Sequence, residues 1–322
     1  MAIKDLNDIY DLIENLRLHG EENRRGVFEC SPYWEEYFGD NQQQCSGQIY
    51  CADNLELMKS LAASSNQCQR FQMIYMDPPF FSSAKYFSRS ADGSKELAYS
   101  DVWKEGLSEY LEMITKRVFA AKALLADDGL IWIHLDYRAV HYVKIIMDEI
   151  FGMENMLNEV VWGYRSGGAS GRRFARKHDT ILLYSKSTKY KFNALKEKSY
   201  NRGLLPYNFK GVKEYEDDNG WYTLVNMRDV WEIPMVGRTS GERTGYATQK
   251  PEELLRRIVL ASTDPGDICA DFFAGSGTLG AVCKSIGRSF VLCDENEDAC
   301  KIMVERLVDT KIKHIVEDGL KR

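Results

Sequence analysis

A mostly parallel, twisted α/β sheet with helices on both faces, carrying one small inserted module, is the fold this sequence predicts. Three observations predict it. Short apolar runs of strand length alternate with longer segments of helical periodicity. The run at residues 268–273 stops at a glycine-rich turn that opens a helix. Between residues 189 and 245 the alternation breaks down into polar, aromatic, glycine-containing sequence, and it resumes from Tyr246.

Taken in order, Leu6, Ile9, Tyr10, Ile13 and Leu16 recur at helical spacing, and Tyr33, Trp34, Tyr37 and Phe38 cluster behind them. Residues 1–47 therefore read as a helical extension. Residues 48–53 form a short strand ending in an acid, with Asp53 or Asn54 capping the helix to Leu61. Residues 71–76 are a compact apolar run, a buried strand that ends abruptly at Asp77-Pro78-Pro79. Residues 81–100 are polar and aperiodic, which predicts a loop. A helix over 107–125, a strand over 130–135, a helix over 139–151 and strands at 158–162 and 180–184 complete a first half, residues 48–188. Residues 189–245 read as a separate module. Residues 246–322 form a second half: a helix opening at Pro251, strands at 268–273 and 289–293, and helices at 278–286 and 298–308.

The chain has 322 residues, 44% hydrophobic and 28% charged, which is globular composition. No apolar run reaches membrane-spanning length, and the first ten residues carry acids rather than an apolar h-region, so no membrane partner and no signal peptide are expected. The eight cysteines contain no Cys-x-x-Cys pair, and His134, His141 and His178 lack metal-ligand spacing to them. They read as free thiols of a cytoplasmic protein with no metal site. Net charge is −6, yet residues 163–213 hold thirteen Lys and Arg against Asp179 and Glu197. Such an island on an acidic chain suits a localised polyanion site.

Two constellations carry chemistry. In Asp271-Phe272-Phe273-Ala274-Gly275-Ser276-Gly277-Thr278, the glycines permit a tight turn and close backbone approach to a ligand. Asp294, ending the next strand, can grip ribose hydroxyls. With Gly280 the run also fits a dinucleotide fingerprint, so on these residues alone a nicotinamide-dependent oxidoreductase stays open. In Asp77-Pro78-Pro79-Phe80, two prolines fix φ and remove two backbone donors. That leaves the Asp77 carboxylate and the Pro78 carbonyl as acceptors beside an aromatic face. Acceptors suit a neutral exocyclic amine, which carries two N–H donors, and a ring suits an extruded base.

Together these stretches resemble the amino-directed DNA methyltransferases, whose signatures are Asp/Asn/Ser-Pro-Pro-Tyr/Phe and Phe-x-Gly-x-Gly. The catalytic signature comes first here, the order of the β class, and Lys177-His178-Asp179-Thr180-Ile181-Leu182 and residues 246–254 match further. The resemblance, over residues 48–308 apart from the module, implies a Rossmann-like domain that uses S-adenosyl-L-methionine on double-stranded DNA, with residues 189–245 as a target-recognition module. It implies a catalytic role for Asp77, Pro78, Pro79 and Phe80. It implies cofactor contacts from Asp53, Asp77, Thr248, Gln249, Lys250, Asp271, the 273–278 turn (Phe273, Ala274, Gly275, Ser276, Gly277, Thr278) and Asp294. Lys250 would meet the methionine carboxylate, Asp53 the adenine amine and Asp294 the ribose. Arg165, Arg172, Arg173, Arg176 and Lys177 are the expected DNA contacts. Aspartate at position 77 implies adenine N6 as the target, with cytosine N4 the alternative. A catalytically inactive DNA-binding module is a further alternative, which the intact Asp77-Pro78-Pro79-Phe80 opposes. Members are often homodimers, and a cognate restriction endonuclease is a partner the family implies.

Overall fold

A computed structural model describes residues 46–63, 70–82, 85–89, 95–104, 106–165, 171–307 and 312–316. The helix expected over residues 6–16 and the aromatic cluster at 33–38 lie outside the described residues.

A nine-stranded sheet organises the chain. Its strands are β1 (Gly47–Cys51), β2 (Phe71–Met76), β5 (Leu125–Leu135), β6 (Met156–Gly163), β7 (His178–Ser185), β11 (Val230–Glu232), β12 (Ile268–Asp271), β13 (Ser289–Asp294) and β14 (Ile312–Val316). They lie in the order β11-β6-β7-β5-β2-β12-β13-β1-β14. Only β7 runs against the others, pairing antiparallel with both β5 and β6.

Strand alternation builds two cores, one on each face. From β2 and β5, Ile74, Met76, Ile131 and Ile133 point to the face covered by α1 (Asn54–Ala63), α2 (Leu107–Leu124) and α3 (Val140–Phe151). Met73, Tyr75, Leu130 and Trp132 point to the other, covered by α4 (Glu252–Ser262), α5 (Thr278–Ser285) and α6 (Glu297–Arg306). A parallel strand buried on both sides is largely apolar, as β2 is, and its one glutamine, Gln72, is buried with its amide donating to the Asp128 carbonyl. Gly280 lets α5 press onto the sheet: a Cβ there would meet Leu292 and Leu307 at 2.8 and 2.9 Å. No helix among the described residues is long and apolar enough to cross a membrane.

Three expectations change. Residues 81–100 are not all loop, because β3 (Lys85–Arg89) and β4 (Lys95–Ser100) pair as an antiparallel ribbon. A two-stranded ribbon is held by its backbone and needs no apolar run to announce it. Within the irregular module, β8 (Lys196–Tyr200), β9 (Glu214–Asp217) and β10 (Gly220–Asn226) form a separate antiparallel sheet in the order β8-β10-β9. That sheet ends at Asn226, within the stretch 189–245. The chain returns to the main sheet in β11, beside β6, and Trp231 is buried with its ring 6.3 Å from that of Trp132.

Replacing Ile131 by Ala removes a fully buried side chain from β5, an interior strand of the sheet. It is expected to destabilise the fold by about 2–5 kcal/mol, read as a lowered urea midpoint with unchanged m-value; an unchanged midpoint would contradict this core.

Candidate active site

Neighbouring strands β2 and β12 lead away from each other, β2 onward to β5 and β12 onward to β13. This is the switch point of a parallel sheet, where a crevice opens beyond the carboxyl ends. A cavity of about 580 Å³ occupies it, lined by Asp77–Phe80 from one side and by residues 271–276 and 294–296 from the other. Tyr246, Thr248 and Lys250 form a further wall. A second depression of about 510 Å³ lies between residues 241–244 and the helices α5 and α6, and none of the expected site residues lines it.

At the Asp77 corner the two carboxylate oxygens differ. Lys250 Nζ bonds Oδ2. Oδ1 is buried and has no hydrogen-bond partner among the described residues; its neighbour His134 Nδ1 stands 3.9 Å away. His134 is committed elsewhere. Its Nδ1 lies 2.7 Å from the Tyr75 hydroxyl and its Nε2 3.2 Å from Asp179 Oδ2. Tyr164 donates to the other Asp179 oxygen at 3.1 Å. Burial works against the Asp179 carboxylate, but the hydrogen bond and charge of His134, with Lys250 and Tyr164, hold its pKa below the ordinary range. An ionised Asp179 only accepts, so Nε2 carries a proton and donates to it, while Nδ1 faces the Tyr75 hydroxyl. That arrangement leaves Asp77 Oδ1 an open acceptor.

The aromatic wall is braced as well. Phe80 lies 5.6 Å from the His134 ring, centroid to centroid, and Lys250 Nζ sits 5.1 Å from its centre. The next residue, Phe81, has φ +58°, unusual for a bulky side chain. Buried Asp101 holds this turn, accepting from the Phe81 and Ser82 amides at 3.1 and 2.5 Å and from the Trp103 indole at 2.7 Å. Twenty residues of sequence separate Asp101 from the turn, and no motif marks it.

Across the cavity, the glycine turn is wired to the acids around it. Phe273 N–H donates to Asp271 at 3.0 Å, and Gly275 and Asn296 N–H to the two Asp294 oxygens at 2.8 and 2.9 Å. Burial raises the pKa of both acids, most for Asp271, where the charges of Asp77 and Asp294 add to the effect. Gly275 (φ +50°) packs against Tyr246, whose ring would lie 3.0 Å from a Cβ there.

Of the expected cofactor contacts, Asp77, Thr248, Lys250, Asp271, Phe273, Ala274, Gly275, Ser276, Thr278 and Asp294 line the cavity. Three others do not. Asp53 is exposed, caps α1 through Glu56 N–H at 2.9 Å and pairs with Arg117 at 3.3 Å. Gln249 turns inward to its own loop, bonding Thr244 N–H and the Glu242 carbonyl. Gly277 forms the left-handed start of α5 against Met303. In place of Asp53, Asn54 and Arg117 face the cavity. They are joined by an Arg117 Nε–Asn54 bond of 2.6 Å, and Asn54 donates to the Phe272 carbonyl at 2.6 Å. Neither belongs to a motif, so sequence spacing gave no signal for them.

The basic segment springs from the carboxyl end of β6 and returns in β7, at the same end of the sheet as Asp77. Arg165, Arg172, Arg173 and Arg176 are exposed and Lys177 is half-buried. Arg176 stacks 3.8 Å from the Tyr137 ring centre and bonds its hydroxyl. Of the aromatic residues around this segment, Tyr184 and Trp231 are buried, and Tyr164 donates to Asp179.

Comparison with known proteins agrees with this geometry. A DNA methylase family model, N6/N4 methyltransferase, matches residues 71–305. The Type II methyltransferase M2.DpnII of Streptococcus pneumoniae is 31% identical over 243 residues, covering 74% of this chain and 83% of its own. DNA adenine methyltransferase YhdJ of Escherichia coli (strain K12) is 28% identical over 266 residues, 80% of this chain and 82% of its own. Among solved structures, the M1.HpyAVI–SAM complex superposes with a TM-score of 0.52 at 22% identity, over 81% of this chain and 98% of that one. The cytosine-N4-specific PvuII DNA methyltransferase gives 0.56 at 16% identity, over 84% and 89%. At those identities the two structures speak for the fold alone. With the family model spanning most of the chain and a relative above 30% identity, this protein belongs to the N6/N4 DNA methylase family.

Proposed function

We propose that this methylase transfers a methyl group from S-adenosyl-L-methionine to N6 of adenine in duplex DNA. The observation that carries the reading is the buried Asp77 Oδ1, without a partner among the described residues, on a residue that lines a cofactor-sized crevice. A polar atom buried without a partner is costly, and a substrate donor at that point would relieve it.

The residues present fit the cofactor. The cavity volume lies within the usual range for cofactor sites. Asp294 and Glu295 offer acceptors for ribose hydroxyls, Asp271 one for an amino group, and Phe273 and Asn54 frame the adenosine end. Lys250 and Thr248, just before the amino terminus of α4, suit a carboxylate. When bound, the cofactor supplies a methyl group made electrophilic by its sulfonium.

The chain's own part is to hold the acceptor nitrogen. Phe80 presents a ring on which an extruded base stacks. Asp77 Oδ1 and the Pro78 carbonyl accept hydrogen bonds from the two amino hydrogens, directing the nitrogen lone pair away from the corner and toward the cofactor side of the cavity; the one proton lost on methylation leaves from the Asp77 side to solvent. Lys250, bonded to Oδ2, keeps the carboxylate from turning. Preorganised acceptors in a water-poor crevice do most of the catalytic work in this scheme. An exocyclic amine of adenine and one of cytosine satisfy these acceptors equally. Aspartate at position 77 and the adenine-directed YhdJ among the relatives favour adenine. The exposed arginines beside the crevice suit the phosphates of the DNA.

Methylation-aware sequencing of a host genome carrying the gene is expected to return N6-methyladenine within one recurrent sequence; N4-methylcytosine alone would reverse the assignment. Asp77→Ala should lower transfer by about a hundredfold or more while the cofactor still raises the melting temperature. Undiminished activity would remove the acceptor model. Arg173→Ala should weaken binding to all duplexes alike and reduce the slope of log K against log salt by about one. An unaltered slope would take Arg173 out of the phosphate contacts.

A further inference from the structure

Phe174 is 97% exposed, the most exposed large apolar side chain among the described residues. Its surroundings are not those of a patch that seeks another protein. Arg172, Arg173 and Arg176 flank it, all exposed, with no acid between residues 164 and 178. An aromatic ring held in water amid guanidinium groups fits a polyanion with stacked apolar faces inside it, which describes duplex DNA.

Its position is set by the active site. The segment that carries it is closed at its base by Tyr164 N–H donating to the Lys177 carbonyl at 2.9 Å. Tyr164 and Asp179, on either side of that closure, bond each other, and Asp179 bonds His134, on whose ring Phe80 rests. Five residues separate Phe174 from Asp179, so chain length alone keeps it within roughly 17 Å of that contact. On the same side, the Arg176 guanidinium stacked on Tyr137 gives the segment a second attachment to the protein.

We propose that Phe174 is the wedge of this enzyme: it enters the base stack at the place the target nucleotide vacates, while the neighbouring arginines hold the flanking phosphates. An adenine lodged at the Asp77 corner leaves a gap in the duplex one nucleotide away, and an inserted apolar side chain keeps that gap from closing. The proposal rests on the reading of the protein as a base-extruding DNA methyltransferase. It adds the residue that stabilises the extruded state.

The test compares wild type with Phe174→Ala on two duplexes carrying the sequence methylated in the host. In one the target adenine is normally paired; in the other it lies opposite an abasic site, so that extrusion meets little resistance. The variant should methylate the paired target 10- to 100-fold more slowly than wild type, with cofactor affinity unchanged, and come within about twofold of wild type on the second duplex. Phe174→Leu, which keeps an apolar wedge, should retain most of the rate on both. Equal rates for wild type and Phe174→Ala on the paired target overturn the wedge. So does an equal slowing on both duplexes, which would make Phe174 a docking contact only. If wild type itself transfers no methyl group to either, the proposed reaction fails first and the wedge with it.

Discussion

The ion pair between Lys250 and Asp77 is the interaction on which the rest of this site depends. It joins residues 173 positions apart and closes the two halves of the domain over one crevice. It also makes the carboxylate asymmetric. One oxygen is occupied by the lysine, and the other is left buried and open. An acceptor in that state cannot be maintained by chance, because any nearby donor would turn to it. The surrounding structure has disposed of the donors. Tyr75 and Asp179 occupy both nitrogens of His134, and the prolines at 78 and 79 have no N–H to give.

Every member of that arrangement arrives on a different strand or loop. Tyr75 and Asp77 come from β2 and the turn after it, His134 from β5, Asp179 from β7 and Lys250 from the approach to α4. The antiparallel insertion of β7 matters here. Because β7 runs backwards, its first residues lie at the carboxyl end of β5, so Asp179 is delivered to the catalytic end of the sheet. A parallel strand in that place would bring its last residues there instead. The β6–β7 connection then carries the arginines and Phe174 over the same end. One strand reversal thus brings both Asp179 and the basic segment to the end of the sheet where Asp77 lies.

The cofactor half rests on a different device. Asp294 receives two backbone amides, from the glycine turn and from the start of α6, and is thereby a structural clamp as well as an acceptor. A carboxylate has about four lone-pair sites, so two bonds leave it room for a ligand. Asp271 is buried and Asp294 half-buried, and desolvation together with neighbouring acids raises the pKa of both. Crowding of acids around one cavity is costly in an empty site and favourable once a cation sits among them.

Much of this was legible in the chain. The compact apolar run of β2, the glycine turn after β12 and the order of the two signatures located the strands, the crevice and both cavity-lining turns, because local pattern reports burial and backbone geometry directly. Ten of the expected cofactor contacts line the cavity. What the pattern could not report is which neighbour a side chain meets. Asp53 reads identically as a ligand acid or a helix cap, and only the fold shows that it caps its helix and meets Arg117, 64 residues away. His134 reads as one polar residue within a buried strand, until Tyr75 and Asp179 are seen on either side of it. Asp101 and Asn54 carry no motif at all. Sequence determined where the chain would bend and bury; the tertiary structure decided which polar groups would be satisfied by protein and which left open, since hydrogen-bond partners across strands depend on sheet order and direction.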